Sequence, residues 1–181
     1  MKALSVSLGA CVVLLTTPAS SATVTLGNSL ARSCFEAAEA RLASPENLVL
    51  CNRAIEEESL DARDRTATLV NRGILHLVAR NYVGANRDFD EALTMSPSEP
   101  EAWLNKAILN VQLNRSATAF PMVERALALN TRKPALAYFV RGLANEDRGN
   151  VKAAYADLVH ARDLAPDWKE PGVELQRYKI R

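Results

Sequence analysis

The side chains best equipped for chemistry are two histidines, three cysteines and a run of acids, and their spacing argues against a reaction centre. His76 and His160 stand 84 residues apart. Neither has a second ligand at zinc-site spacing, and no H-E-x-x-H run occurs. The glycines are isolated, so no phosphate-cradling loop is present. Glu56, Glu57 and Glu58, followed by Asp61 and Asp64, lie in a charged connector that reads as solvated surface rather than an acid–base pair. No Ser or Cys adjoins a histidine that could activate it. The expectation is a chain with no catalytic residue, no metal and no cofactor, that is, not an enzyme.

The cysteines suit a structural bond better than a redox centre. Cys34 lies nine residues before a turn expected near Ala43, and Cys51 eight after it. At 1.5 Å per helical residue both fall roughly 12–13 Å from the bend, level on facing helices. A Cys34–Cys51 disulfide is the expectation, and two buried free thiols are the alternative. No C-x-x-C and no flanking basic residue marks a reactive thiol.

The third cysteine belongs to a segment that reads as an export signal. Met1-Lys2 is a short positive start, Ala3 to Thr17 is apolar and uncharged, and Pro18 to Ala22 supplies the small residues of a cleavage site. The apolar run of 15 residues falls short of the ~20 a spanning helix needs. Leu8-Gly9-Ala10-Cys11 has the form of a lipoprotein box. Too little apolar sequence precedes Cys11, however, and Val12 to Leu15 continue the run beyond it, so removal of residues 1–22 is expected. The remainder is formally neutral, because Lys2 leaves with the segment and no acid does. It carries no basic stripe with interleaved aromatics, so nucleic acid is not an expected partner, and no stable membrane insertion is expected after the signal is removed. A secreted, periplasmic location is expected, and an even pair of cysteines fits an oxidising compartment.

Composition and periodicity then place these residues on helices. Aromatic residues make up 6% of a chain of 181 residues, and alanine is abundant, which favours close-packed helices over a sandwich of strands. Leu30 to Leu42 and Leu48 to Glu57 read as a helical hairpin within residues 23–65, with Ser44 and Pro45 as a start signal. Asp61 or Asp64 can cap the next helix. Across residues 66–168 a pattern returns three times. The small residues Gly73, Ala107 and Gly142 are separated by 34 and 35 positions. Ala85, Ala119 and Ala154 keep that step, as do Ala92, Ala126 and Ala161, with Phe89, Val123 and Leu158 between them. Leu69, Trp103 and Tyr138 precede the small residue. Pro97, Thr131 and Pro166 close the copies.

This pattern resembles the tetratricopeptide repeat (TPR), a 34-residue helix–turn–helix unit. The resemblance implies an all-α solenoid of three such repeats, with residues 23–65 as a degenerate leading hairpin and residues 169–181 as a capping helix that Asp167 can start. His76, Asn110 and Asn145 depart from the family's usual tyrosine. The small residues lie where helix axes approach closely, and no copy buries its face alone.

A second regularity concerns charge. Arg72, Lys106 and Arg141 precede the small residue, and sixteen residues on stand Asp88, Met122 and Asp157. Arg–Asp pairing across the first and third hairpins is expected, against the alternative of exposed charges contributing about 0–1 kcal/mol.

The resemblance also implies a concave groove lined by first helices that takes a protein or peptide. Asn71 and Asn105 occupy a position where related domains present asparagine to a peptide backbone. The third copy has Val140 there. Leu136 and Val140 stand where the family's carboxylate clamp needs basic residues, so that clamp is not expected. Ile74, Ile108, Phe139 and Leu143 make the groove apolar, with inter-repeat core as the alternative for the isoleucines. The function expected is a non-catalytic interaction adaptor in the cell envelope. A self-associating structural subunit is the alternative.

Overall fold

The structure, a computed structural model, describes residues 29–178. The expected signal segment, the start of the mature chain up to Asn28 and the last three residues lie outside the described residues. Among the described residues there are nine helices and no strand: α1 (Leu30–Glu39), α2 (Pro45–Glu57), α3 (Ala62–Val78), α4 (Tyr82–Met95), α5 (Pro100–Gln112), α6 (Ser116–Ala128), α7 (Pro134–Asp147), α8 (Val151–Leu164) and α9 (Lys169–Leu175).

Local chemistry sets the helix ends. Ser44 Oγ accepts from Asn47 N at 3.2 Å with Pro45 as the first helical residue, and Asp61 Oδ1 accepts from Asp64 N at 2.7 Å. α2 therefore begins at Pro45, where the Ser44–Pro45 start signal places it. Glu58 is not merely solvated: its carboxylate accepts from Leu30 N at 2.6 Å and Ala31 N at 3.0 Å, holding the first turn of α1. Five helices end with one residue in the left-handed region: Arg41, Arg80, Asn114, Asn130 and Gly149. After each, the next N–H returns to a carbonyl five residues back, as in Leu42 N to Ala37 O at 2.9 Å. The reversal at Arg41 stops α1 at Glu39, short of the expected Leu42.

Pro97 and Pro166 follow α4 and α8, which give way to Ser96 and Ala165, both outside the helical region and Ser96 extended. The middle copy ends differently. Asn130 reverses the chain, and Thr131 Oγ1 and Arg132 N donate to the Glu101 carboxylate of α5 at 3.0 and 2.7 Å. The extra residue before α7 is absorbed in this cap. At the far end Asp167 caps nothing: Trp168 takes the cap position with no side-chain bond, and the helix stops at Leu175. Tyr178 lies beyond it, its ring centroid 5.7 Å from that of Tyr155.

Consecutive helices pair as hairpins, α1/α2, α3/α4, α5/α6 and α7/α8, and each hairpin packs on the next; α9 covers α8. The repeated small residues form the seams. A Cβ on Gly73 would stand 2.4 Å from the Phe89 ring, and one on Gly142 3.1 Å from Leu158 Cγ. Ala107 faces the smaller Val123 in a fully buried cluster. The volume removed on one helix is returned on the other. The first helices touch in series, α1 on α3, α3 on α5 and α5 on α7, whereas the second helices make no comparable contact among the described residues. The more closely set row is the inner row of a curved stack, so first helices line the concave side.

Candidate interaction groove

The expected groove residues separate into two groups once placed on this inner row. Ile74 packs against three core clusters, those of α1/α2, of α3 with α4 and α5, and of the α3/α4 seam, and Ile108 against two. Both fill joints between hairpins, as the core alternative had it, though each remains partly accessible. Asn71 and Asn105 are half-buried on the same helices. Asn105 Nδ2 donates to Glu101 O at 2.8 Å, which leaves its amide oxygen and one N–H for another partner. Val140, their third-copy counterpart, is buried among Leu104, Ala107, Val123 and Ala126. This register position thus turns toward the joint as the stack proceeds. Phe139 and Leu143 are half-buried, and the Phe139 ring lies 4.9 Å from that of Trp168.

An ion pair joins the two ends of the row. Lys133 Nζ, at the start of α7, lies 3.2 Å from Glu39 Oε2, at the end of α1. The residues are 94 apart in sequence, and both side chains are about half exposed. Sequence periodicity carries no signal for this contact, because it depends on the curvature accumulated over three joints.

The charges that precede the small residues are structural. Arg72 Nε and Nη2 donate to Asp88 Oδ2 and Oδ1 at 2.8 and 2.7 Å, and Asp88 is fully buried. Arg141 holds Asp157 in the same bidentate way, at 3.0 and 2.6 Å. The Asp157 carboxylate lifts the already high pKa of Arg141 further, against the opposing effect of its burial. Each first-helix cation also reaches back to the preceding second helix: Arg72 to Asn52 at 3.0 Å, Lys106 to Asp90, and Arg141 to Glu124 at 2.5 Å. The sequence reading missed this ladder, since its offsets of 20, 16 and 17 residues are irregular.

Two of the three residues at the family's tyrosine position, His76 and Asn145, serve the same network. His76 Nε2 lies 3.8 Å from Asp88 Oδ2, and its Nδ1 is 3.2 Å from Asn81 Nδ2. Burial lowers its pKa below the ordinary value, and the Asp88 charge only partly offsets this. Asn145 Nδ2 donates to Asp157 Oδ2 at 3.0 Å. His160 packs edge-on against Tyr138, with ring centroids 4.1 Å apart. Among the described residues no group of three or more His, Cys, Asp and Glu could hold a metal ion, and no helix is long and apolar enough to cross a membrane. Cys34 and Cys51 form a disulfide in this structure, with Cα atoms 4.9 Å apart, linking α1 to α2.

No family model matches the sequence, and no curated protein matches it. Solved structures do. The first TPR domain of human RPAP3 is 25% identical with a TM-score of 0.57, over 62% of this chain and 87% of that one. MamA from Desulfovibrio magneticus RS-1 is 21% identical with a TM-score of 0.61, over 81% of each chain. The first TPR of Spaghetti (RPAP3), bound to the HSP90 peptide SRMEEVD, is 24% identical with a TM-score of 0.59, over 65% of this chain and 92% of that one. The stack of helical hairpins described above is the TPR fold.

Proposed function

We propose that this protein is a non-catalytic adaptor of the cell envelope that holds a segment of a partner protein against its inner row of first helices. The observation that carries the reading is that row itself. Asn71 and Asn105 are half-buried on it, with amide groups that suit a peptide backbone, and Phe139 and Leu143 offer half-covered apolar surface beside them. The Spaghetti (RPAP3) domain, similar in fold, holds a peptide.

The test is capture of a partner by the exported chain and by Asn71→Ala/Asn105→Ala. Capture by the first and loss in the second supports the groove; unchanged capture removes it. An envelope location is supported by the N-terminal sequence pattern and by the Cys34–Cys51 bond, which persists in oxidising compartments. Intact mass of the exported, non-reduced protein after alkylation checks this: no added label is expected on Cys34 or Cys51, and two labels would remove that support.

A further inference from the structure

At one edge of the inner row, where α1, α3 and α5 end, a cleft of about 380 Å³ is lined by Arg41, Leu77, Val78, Arg80, Tyr82 and Gln112. It lies at the hairpin turns, one to two helical turns beyond the position of Ile74. Leu77 and Val78 supply an apolar wall, Tyr82 and Gln112 supply polar groups, and the two arginines are exposed. Among the described residues neither arginine is paired with an acid, and no acid lines the cleft. The nearest acids on α1 are committed: Glu36 holds Arg32 and Glu39 holds Lys133. Other arginines also lack a carboxylate, but Arg65 donates to Ile55 O and Arg148 lies over the Phe120 ring, and what marks Arg41 and Arg80 is that they share one cleft. The C-termini of α1, α3 and α5 attract cations, but a helix end is equivalent to only about half a charge, so three ends still leave about half a positive charge uncompensated. Residues 1–28 and 179–181 contain no Asp or Glu.

We propose that the Arg41–Arg80 cleft is a second contact site for the partner, taking an acidic side chain flanked by apolar residues. This rests on the adaptor reading and adds the partner's chemistry to it: a segment that lies along the inner row and carries glutamate or aspartate where it leaves at the turn edge. A peptide suits the site better than a nucleic acid, because two guanidiniums beside an apolar wall are far from the continuous basic stripe a phosphate backbone requires.

The experiment is a fluorescence-anisotropy titration of the purified chain with a labelled peptide of alternating glutamate and leucine, and with its glutamine counterpart. The glutamate peptide is expected to bind about tenfold tighter at low salt, and the preference to shrink at 0.3 M NaCl as the charges are screened. Arg41→Glu/Arg80→Glu is expected to abolish the preference, while Arg63→Glu/Arg125→Glu, at other arginines, keeps it. Equal binding of the two peptides overturns the proposal. So does a preference retained in Arg41→Glu/Arg80→Glu with unchanged helical circular dichroism. A short single-stranded DNA that binds as tightly as the glutamate peptide overturns it in favour of phosphate, and a dimer of the chain dispersed by Arg41→Glu/Arg80→Glu overturns it in favour of a second copy. Failure of the groove reading is separate, because it is read from partner capture by Asn71→Ala/Asn105→Ala, and neither asparagine lines this cleft.

Discussion

The α3/α4 and α5/α6 hairpins are built on the same repeat and held together by different physics. In α3/α4, Gly73 lets the Phe89 ring fill the seam, and a fully buried Asp88 binds Arg72 through both oxygens. In α5/α6, Ala107 faces Val123, and Met122 stands where the aspartate would be. Lys106 then has no carboxylate in its own hairpin and pairs backward with Asp90 instead. Asn110 donates to its own helix at Lys106 O, 2.8 Å away, and lies 3.6 Å from Met122 Sδ. One hairpin is internally bolted. The other is apolar inside, and its charges serve the joints with its neighbours: Lys106 to α4, and Glu101 to Thr131 and Arg132 before α7. A repeat in a stack can give up its internal ion pair because each hairpin is supported from both sides.

The sharpest way to break this contrast is Asp88→Ala, which strands a buried guanidinium. It is expected to cost about 3–5 kcal/mol, read from urea unfolding. Lys106→Ala removes a partly exposed pair and is expected to cost about 1 kcal/mol or less. If the two losses come out equal, the bolted and apolar hairpins are not energetically distinct.

Seam volume gives the next contrast. Gly73→Ala places a methyl against the Phe89 ring and is expected to cost about 1–3 kcal/mol. Gly142→Ala meets Leu158 Cγ at 3.1 Å and the Ala154 carbonyl oxygen at 3.3 Å, looser contacts than at Gly73, so its cost should be smaller, about 1 kcal/mol. In a double-mutant cycle, Gly73→Ala with Phe89→Val reproduces the middle copy's pairing, and the double mutant should cost less than the sum of the two single losses. Strict additivity would show that the seam is not set by complementary volume.

The smallest effect is pH-dependent and comes from His76. Burial holds its folded pKa below the ordinary value of 6.5. The unfolded chain therefore binds more protons just below that value, so this residue's contribution to stability falls as pH drops through about 6.5 and levels off below the folded pKa. His76→Asn, which copies Asn145 of the third hairpin, is expected to flatten the difference between pH 7 and pH 5 in thermal melts. Parallel curves for the two proteins would rule out His76 as its source.

Much of the stack was legible in the sequence because close packing leaves a periodic mark. Gly73, Ala107 and Gly142, and the alanines of the second helices, must be small wherever axes approach, and that requirement recurs with every copy. The Arg72–Asp88 and Arg141–Asp157 pairs were legible for the same reason: both partners lie in one hairpin, so their separation is constant. The leading hairpin blurred that regularity. α1 is a short helix stopped by a left-handed arginine, and Ala54 of this hairpin stands 38 residues before Ala92 rather than 34 or 35, so no periodic argument could bring Arg41 beside Arg80.

By itself, the sequence determined the helical hairpins, their seams and their order, since these follow from side-chain size at short range along the chain. Tertiary structure alone decided that Lys133 meets Glu39 and, between the two readings open for them, that Ile74 and Ile108 fill joints. It also decided that two turn arginines share one cleft. All of these depend on the angle at which each hairpin settles on the next. That angle is set by the summed packing of whole joints, which no single spacing encodes.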